Sequence, residues 1–309
     1  MKIVEPFVKQ ITDNTPYKKI EYAGRICYKS HDRINDNSYI KFVESIAKRG
    51  HYSVFEHESV TIEFPYYFDG EVHLFLESKF FDLSYSEINH NYYVTGNIRA
   101  WKEFFNKRKP FTVFVKELYD TIGQKYEILF PVINGNRNAP DYMKIVSFNE
   151  MNLKDIEEKY LPFEEAKKHI TSTFHIRTDR ATSHQIVRHR LSSFSQESQR
   201  YVNYTIDKFD NTIKFILPLE AKDLDDEMDG VDEIKRSFAM SEDAYFSLIE
   251  KGVKPETARC VLPNATATEI VITSNLKQWD RFIALRSDSH AQIDIREISN
   301  TIKDIIYGG

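Results

Sequence analysis

The chain has 309 residues, enough for one large domain or two small ones with a full hydrophobic core. Hydrophobic residues make up 41% and charged residues 29%, and the net charge is −5. That balance excludes a nucleic-acid partner held by bulk positive charge and confines any cationic site to a local patch.

The two cysteines, Cys27 and Cys260, form no Cys-x-x-Cys pair, so no structural zinc site is expected and no metal is assigned. Two free thiols in a reducing compartment is the simpler reading beside a single disulfide. No segment approaches eighteen apolar residues, and "MKIVEPFVKQ" has no apolar signal core, which points to a soluble cytoplasmic protein with no membrane partner.

In chain order, "MKIVEPFV" reads as a first strand. "TPYKKIEYAGRICYKS" reads as a helix with Thr15 as N-cap and Pro16 at its first position. "DNSYIKFVESIAKRG" is a second helix, with Ile40, Val43, Ile46 and Ala47 on one face and Gly50 ending it. "SVTIEF" alternates as a strand does. Between about residues 69 and 168 the pattern loosens. "NIRAWKEFFNKR" and "PFTVFVKELYDTIGQKYEILF" look helical, while "GNRNAPDYMK" and "NEMNLKDIEEKYLP" look peripheral. This region reads as a mainly helical insertion in a single domain.

"HITSTFHIRTD" returns to a strand and "RATSHQIVRHRL" continues as a helix. "LDDEMDGVDEIKRSFAMSEDAYFSLIEKG" reads as one long helix with an acidic start. "PETARCVLP" is a short helix between Pro255 and Pro263, and "TATEIVITS" is a β-branched strand. The remainder is mostly helical, with Ile295, Ile298, Ile302 and Ile305 forming one buried stripe. The irregular alternation predicts an α+β fold with helices packed on a mixed or antiparallel sheet.

The stretch "VRHRLSSFSQESQRYV" concentrates three arginines, four serines and two glutamines at the end of a helix. Arginine stays charged at any working pH and binds phosphate bidentately. Serine hydroxyls and glutamine amides add neutral donors and acceptors. Such a mix suits a ligand with phosphate and heteroaromatic amide edges, that is, a nucleotide. A solvated helix end with cations near its C-terminus accounts for the composition equally well.

The order of the residues separates these readings. Arg188, His189, Arg190, Ser193, Ser198 and Arg200 together resemble the signature of the flavin-dependent thymidylate synthases. "GHYSVFEHESV" resembles an upstream element of that family. "ARCVLPNATAT" and "SNLKQWDRFIALRSDSHAQ" resemble its C-terminal half. The resemblance covers roughly residues 20–65 and 170–300.

It implies reductive methylation of dUMP to dTMP, with carbon from 5,10-methylenetetrahydrofolate and hydride from FAD reduced by NADPH, in a homotetramer with shared active sites. By the same resemblance, Arg188, His189, Arg190, Ser193 and Gln196 face FAD, with His57, Ser59, Asn275, Lys277 and Arg281. Gln185, Arg188, Gln196, Glu197, Ser198, Gln199, Arg200, Arg259 and Arg286 face dUMP. Arg286 matches the residue that polarises the pyrimidine, and Ser198 a nucleotide contact in the catalytic loop. Ser195, Gln196, Lys277 and Arg281 depart from residues common in shorter members. At position 277 a lysine gives up bidentate contact.

The chemistry can be read from below as well. Carbon 5 of uracil is a poor nucleophile. It is activated by thiolate attack at carbon 6, or by stabilising negative charge on the ring amide. Arg286, projecting from the end of an apolar helix, suits the second route. Its plain alternatives are a surface helix arginine or a partner for Asp288. Adjacent helical residues point about 100° apart, so Cys260 is expected to turn away from Arg259 as a small buried residue. Cys27 is read the same way. Ser198 has no Ser-His-Asp arrangement around it. His57 reads equally as a neighbour of the flavin or the folate, or as a histidine satisfied by neighbouring backbone groups. No Gly-x-Gly-x-x-Gly loop exists, so FAD would be held by arginines and helix ends. The competing functions are a non-catalytic nucleotide- or RNA-binding module and a different flavoenzyme.

Overall fold

The computed structural model describes residues 1–133, 135–200, 204, 211–222 and 230–308. In chain order the elements are β1 (Lys2–Ile3), β2 (Phe7–Gln10), α1 (Lys18–Cys27), α2 (Ser38–Lys48), β3 (Ser59–Pro65), α3 (His73–Leu76), β4 (Phe81–Tyr85), β5 (Asn91–Asn97), α4 (Ile98–Lys107) and α5 (Val113–Lys125). There follow β6 (Lys144–Val146), α6 (Leu153–Lys159), α7 (Phe163–Ala166), β7 (Thr171–Asp179), α8 (Arg180–Ile186), β8 (Ser193–Gln196) and β9 (Lys214–Phe215). The chain ends with α9 (Leu219–Lys222), α10 (Gly230–Glu250), α11 (Pro255–Ala258), β10 (Ala267–Asn275), α12 (Leu276–Arg286) and α13 (Ile293–Tyr307).

The fold is α+β, as the alternation predicts. Two antiparallel four-stranded sheets carry it, in the orders β2-β7-β10-β8 and β4-β5-β3-β6. The first packs an aliphatic core, including Ile176, Ile270, Ile272, Ile295 and Ile298, beneath α8, α12 and α13. The second packs an aromatic one, including Phe64, Phe75, Trp101, Phe104 and Phe105. Gly96 in β5 has no Cβ, and one placed there would collide with the Phe81 ring. Its absence lets Phe81 stand edge-on to Trp101 at 4.8 Å. Asn275 joins the sheets by donating to Asp82 Oδ2 at 3.0 Å.

Several local expectations are corrected. "MKIVEPFV" forms two short strands in different sheets, β1 pairing with β9 and β2 with β7. The first helix starts at Lys18, with Tyr17 left-handed at φ 71°, instead of being capped by Thr15. Two contacts hold this start: the Thr15 amide donates to Asp13 Oδ1, and the buried Tyr17 hydroxyl accepts from the Ile128 amide. Three strands, β4, β5 and β6, come from the region read as mainly helical. They pair with β3 and with one another, a long-range outcome that local pattern does not report. "GNRNAPDYMK" is not wholly peripheral, because Arg137 donates inward to the Phe130 carbonyl and Met143 is buried. Ile40 and Ile305 are 38% exposed, at the edges of their helical stripes. The helix α10 is described from Gly230, and the acidic start expected before it lies outside the described residues, as do Tyr201 and Val202.

Candidate active site

Strand ends determine where the candidate residues fall. The last residue of β7, Asp179, caps α8 by accepting from the Thr182 amide at 2.8 Å. The last residue of β10, Asn275, caps α12 by accepting from the Gln278 amide at 2.9 Å. The two strands are antiparallel, with Ala267 opposite Asp179 and Asn275 opposite Thr171, so the helices begin at opposite ends of the pair. Seven and eleven residues of helix add to about 27 Å. A nine-residue strand spans about 30 Å. Both helices return over the same core, so their C-termini meet.

Arg286 and Gln185 stand at that meeting point. Arg286 Nε donates to His189 Nε2 at 2.9 Å, and Nη2 donates to the Gln185 carbonyl at 3.2 Å. Nη1 reaches Gln185 Oε1 at 3.4 Å. His189 packs edge-on against Phe282 at 4.6 Å. Burial, with the Arg286 charge beside it, lowers the His189 pKa to about 4. The imidazole is therefore neutral at physiological pH and accepts from the guanidinium. Arg286 pairs with these residues and not with Asp288, which bonds His290. Of its five N–H groups, one on each Nη has no partner among the described residues.

A second group surrounds the loop after β8. The Ser198 amide donates to the Cys27 carbonyl at 3.2 Å, which ties the loop to α1. Arg200 Nε donates to Glu256 Oε2 at 3.0 Å, and Arg259 Nε donates to the Glu256 carbonyl at 3.1 Å. Glu256 thus binds its near neighbour Arg259 and, from 56 positions away, Arg200. Arg180, largely buried, approaches the Glu197 carbonyl and Thr268 Oγ1, both at 3.3 Å. Neither Glu256 nor Arg180 was singled out from sequence. The i,i+3 spacing of Glu256 and Arg259 was the available signal for the first.

The third group lines a cleft between the two sheets. Ser59, Ser193 and Asn275 share it with Lys79, Phe80 and Asp82. Burial raises the Asp82 pKa against the opposing hydrogen bond from Asn275.

Four candidates have side-chain polar groups engaged within the protein. His57 is fully buried, with Nδ1 bonded to Thr273 Oγ1 and Nε2 to Ser195 Oγ, each at 2.9 Å. Burial and the nearby Lys19 charge lower its pKa to about 3, so it is a neutral core histidine behind the site. Glu197 is 3% exposed and paired with Lys29 at 2.7 Å, with Tyr204 donating to the same oxygen. Ser193 is buried and donates to the Glu56 carbonyl. Gln196 is half-buried, and its amide donates to Ser183 and Thr268. In contrast, Arg188, Arg190, Arg200, Arg259, Lys277 and Arg281 are exposed, and Gln199 is half-buried. Ser198 accepts only a long bond from the Arg200 amide among the described residues. Cys260 is exposed, not buried, because Arg259–Val261 is a surface 3-10 turn. Cys27 is half-buried, and burial raises its pKa.

The profile of the family described as thymidylate synthase complementing protein matches residues 10–66 and 161–308, about two thirds of the chain. The chain belongs to that family. All three residue groups draw on its two matched segments; the cleft adds Lys79, Phe80, Asp82, Thr95, Gly96 and Asn97 from between them. Among similar proteins are the flavin-dependent thymidylate synthases of Pyrococcus furiosus, 36% identical over 160 residues, and Thermococcus kodakarensis, 37% identical over 166. These alignments cover 50% and 52% of this chain and 63% and 65% of the relatives, so the match spans less than two thirds of their length. A UMP/dUMP methylase from Streptomyces cacaoi aligns over 99% of this chain and 92% of its own, with 15% identity and a TM-score of 0.42. Membership in the family agrees with the resemblance read from the arginine–serine signature.

Proposed function

We propose that this chain is a flavin-dependent thymidylate synthase that methylates dUMP to dTMP, using 5,10-methylenetetrahydrofolate as carbon donor and NADPH as reductant of FAD. The observation that carries this reading is the Arg286 guanidinium, fixed by His189 and Gln185 with two N–H groups left over. Aimed at a uracil carbonyl, those donors stabilise negative charge on the ring amide and give carbon 5 enolate character. Family membership and the named relatives support the same activity.

The donor set suits both nucleotides. Arg200 and Arg259, gathered by Glu256, offer guanidinium forks for the dUMP phosphate, with Ser198, Gln199 and Gln185 as neutral partners. Arg188, Arg190, Lys277 and Arg281 present unburied charge for a pyrophosphate, and the cleft at Ser59 and Asn275 offers polar walls beside them. Bound FAD would supply the hydride. Neither thiol is suited to covalent attack: burial disfavours the Cys27 thiolate, and Cys260 lies on a surface turn. Since the cationic residues lie on the protomer surface, we propose a homotetramer in which neighbouring subunits complete each site, in the cytoplasm. Among the described residues no helix is long and apolar enough to cross a membrane.

The test is Arg286→Ala, assayed for dTMP formation and for the flavin absorbance band. The expected result is a loss of about 10²–10³ in turnover, the usual effect of removing one charge-stabilising donor, with flavin retained. Turnover near the wild-type rate overturns the role of Arg286.

A further inference from the structure

Away from the three groups above, α1 and α2 pack through Gly24 and Phe42. A Cβ on Gly24 would collide with the Phe42 ring, so the glycine permits this approach. Beside the seam lies an open groove of about 740 Å³. Small-molecule sites fall roughly between 300 and 1,000 Å³. Arg25, Arg33, Lys41 and Arg49 line the groove, and no carboxylate is among its lining residues. Arg25 is held in place, with Nε and Nη2 donating to buried Glu21 at 3.1 and 2.9 Å and the guanidinium 4.9 Å over the Phe42 ring. Arg33, Lys41 and Arg49 have no ion-pair partner among the described residues.

Exposed cations are ordinarily solvated and scattered. Three such cations around one concavity, Arg33, Lys41 and Arg49, on a chain with net charge −5, are a local focus of positive potential, while the Arg25 charge is balanced by Glu21. Asn35 and Asn37 add amide groups. The groove also adjoins the candidate nucleotide loop. Cys27 and Lys29, on either side of Tyr28 in its lining, hold Ser198 and Glu197 respectively.

We propose that this groove binds the phosphates of a nucleotide. Guanidinium forks match phosphate oxygens bidentately, and the asparagine amides add neutral donors and acceptors beside them. Two sources share that chemistry: the 2′-phosphate and pyrophosphate end of the nicotinamide reductant, and a free nucleotide acting as effector. Only the first source rests on the proposed function; phosphate binding itself does not.

The experiment uses the full chain, with pyrophosphate, ADP and NADP⁺ as probes in calorimetric titrations at two salt concentrations. The wild type is compared with a triple Arg33→Ala, Lys41→Ala, Arg49→Ala variant. Binding by the wild type that the variant weakens at least about tenfold, with dUMP binding and thermal unfolding unchanged, supports the groove. Preference for NADP⁺ together with a raised KM for NADPH alone identifies the reductant. Equal binding of ADP and NADP⁺ with an unchanged KM identifies an effector. Absence of binding by the wild type, equal binding by the variant, or preference for an oligoglutamate over all three phosphates overturns the proposal. Loss of dTMP formation in the wild type, with groove binding intact, would overturn the proposed function and leave the groove standing.

Discussion

The two four-stranded sheets differ in what fills them. The sheet β4-β5-β3-β6 covers a ring-dense core in which Phe75 stacks on Phe104 at 5.3 Å and Phe81 meets Trp101 at 4.8 Å. The sheet β2-β7-β10-β8 rests on isoleucines, and its capped helices deliver Gln185, His189 and Arg286 to one point. Yet each sheet buries one histidine between two hydroxyls. His57 lies between Thr273 and Ser195, and His169 between Thr95 and Ser84. The same polar device thus occurs with and without the arginine cluster. Buried hydroxyl–histidine bonding is therefore a feature of the scaffold, found in both sheets.

The comparison breaks most visibly through the aromatic core. Trp101 is fully buried and donates to the Val60 carbonyl at 3.2 Å. Trp101→Ala is expected to cost about 3–5 kcal/mol and Ile272→Ala about 2–5 kcal/mol, measured as shifts in urea midpoint. If both move one common transition, the sheets fold as a unit. If Trp101→Ala splits the transition, the sheet contrast is also a boundary of cooperativity.

A smaller effect comes from pH. Burial, with a lysine charge nearby, lowers both His57 and His169 to about 3. Both stay neutral when folded, while the unfolded chain takes up protons near its ordinary value of about 6.5. Stability is therefore complete above that value and falls as pH drops toward 3. The loss is about 1.4 kcal/mol per pH unit for each histidine. His57→Gln and His169→Gln are each expected to remove one proton of uptake, read from urea midpoints at pH 5 and 7. Unequal slopes would show that the two pockets are not equivalent.

The smallest effect concerns the caps. Asn97 accepts from the Ala100 amide at 2.8 Å, as Asn275 does from Gln278. Asn97→Ala is expected to cost about 1 kcal/mol. Asn275→Ala is expected to cost more, since Asn275 also donates to Asp82 and the Lys168 carbonyl. Equal losses in thermal unfolding would mean that the bridge between the sheets adds nothing.

The two central strands of the arginine-bearing sheet, β7 and β10, were legible because they are rich in β-branched residues. The strand read over 169–179 is found at 171–179, and the short helix after Pro255 starts where pattern places it, but the helix read over 180–191 stops at Ile186 and the strand over 193–196 went unread. The second sheet was not legible as a sheet. Its strands pair with β3 across long loops, and its aromatic residues have no period that separates helix from strand. For the site, the signature pointed to Arg286 and His189, which the structure joins. It also pointed to His57 and Glu197, which the structure buries.

By itself, the sequence determined which groups are permanently charged and that they cluster in a family pattern, because residue identity fixes chemistry. Only tertiary structure decided which of them meet. Antiparallel strands with capped ends aim two short helices at each other, so Arg286 reaches His189 across 97 positions. Burial is equally a property of the assembled layers, so nothing local could tell a histidine sealed behind two hydroxyls from one turned outward.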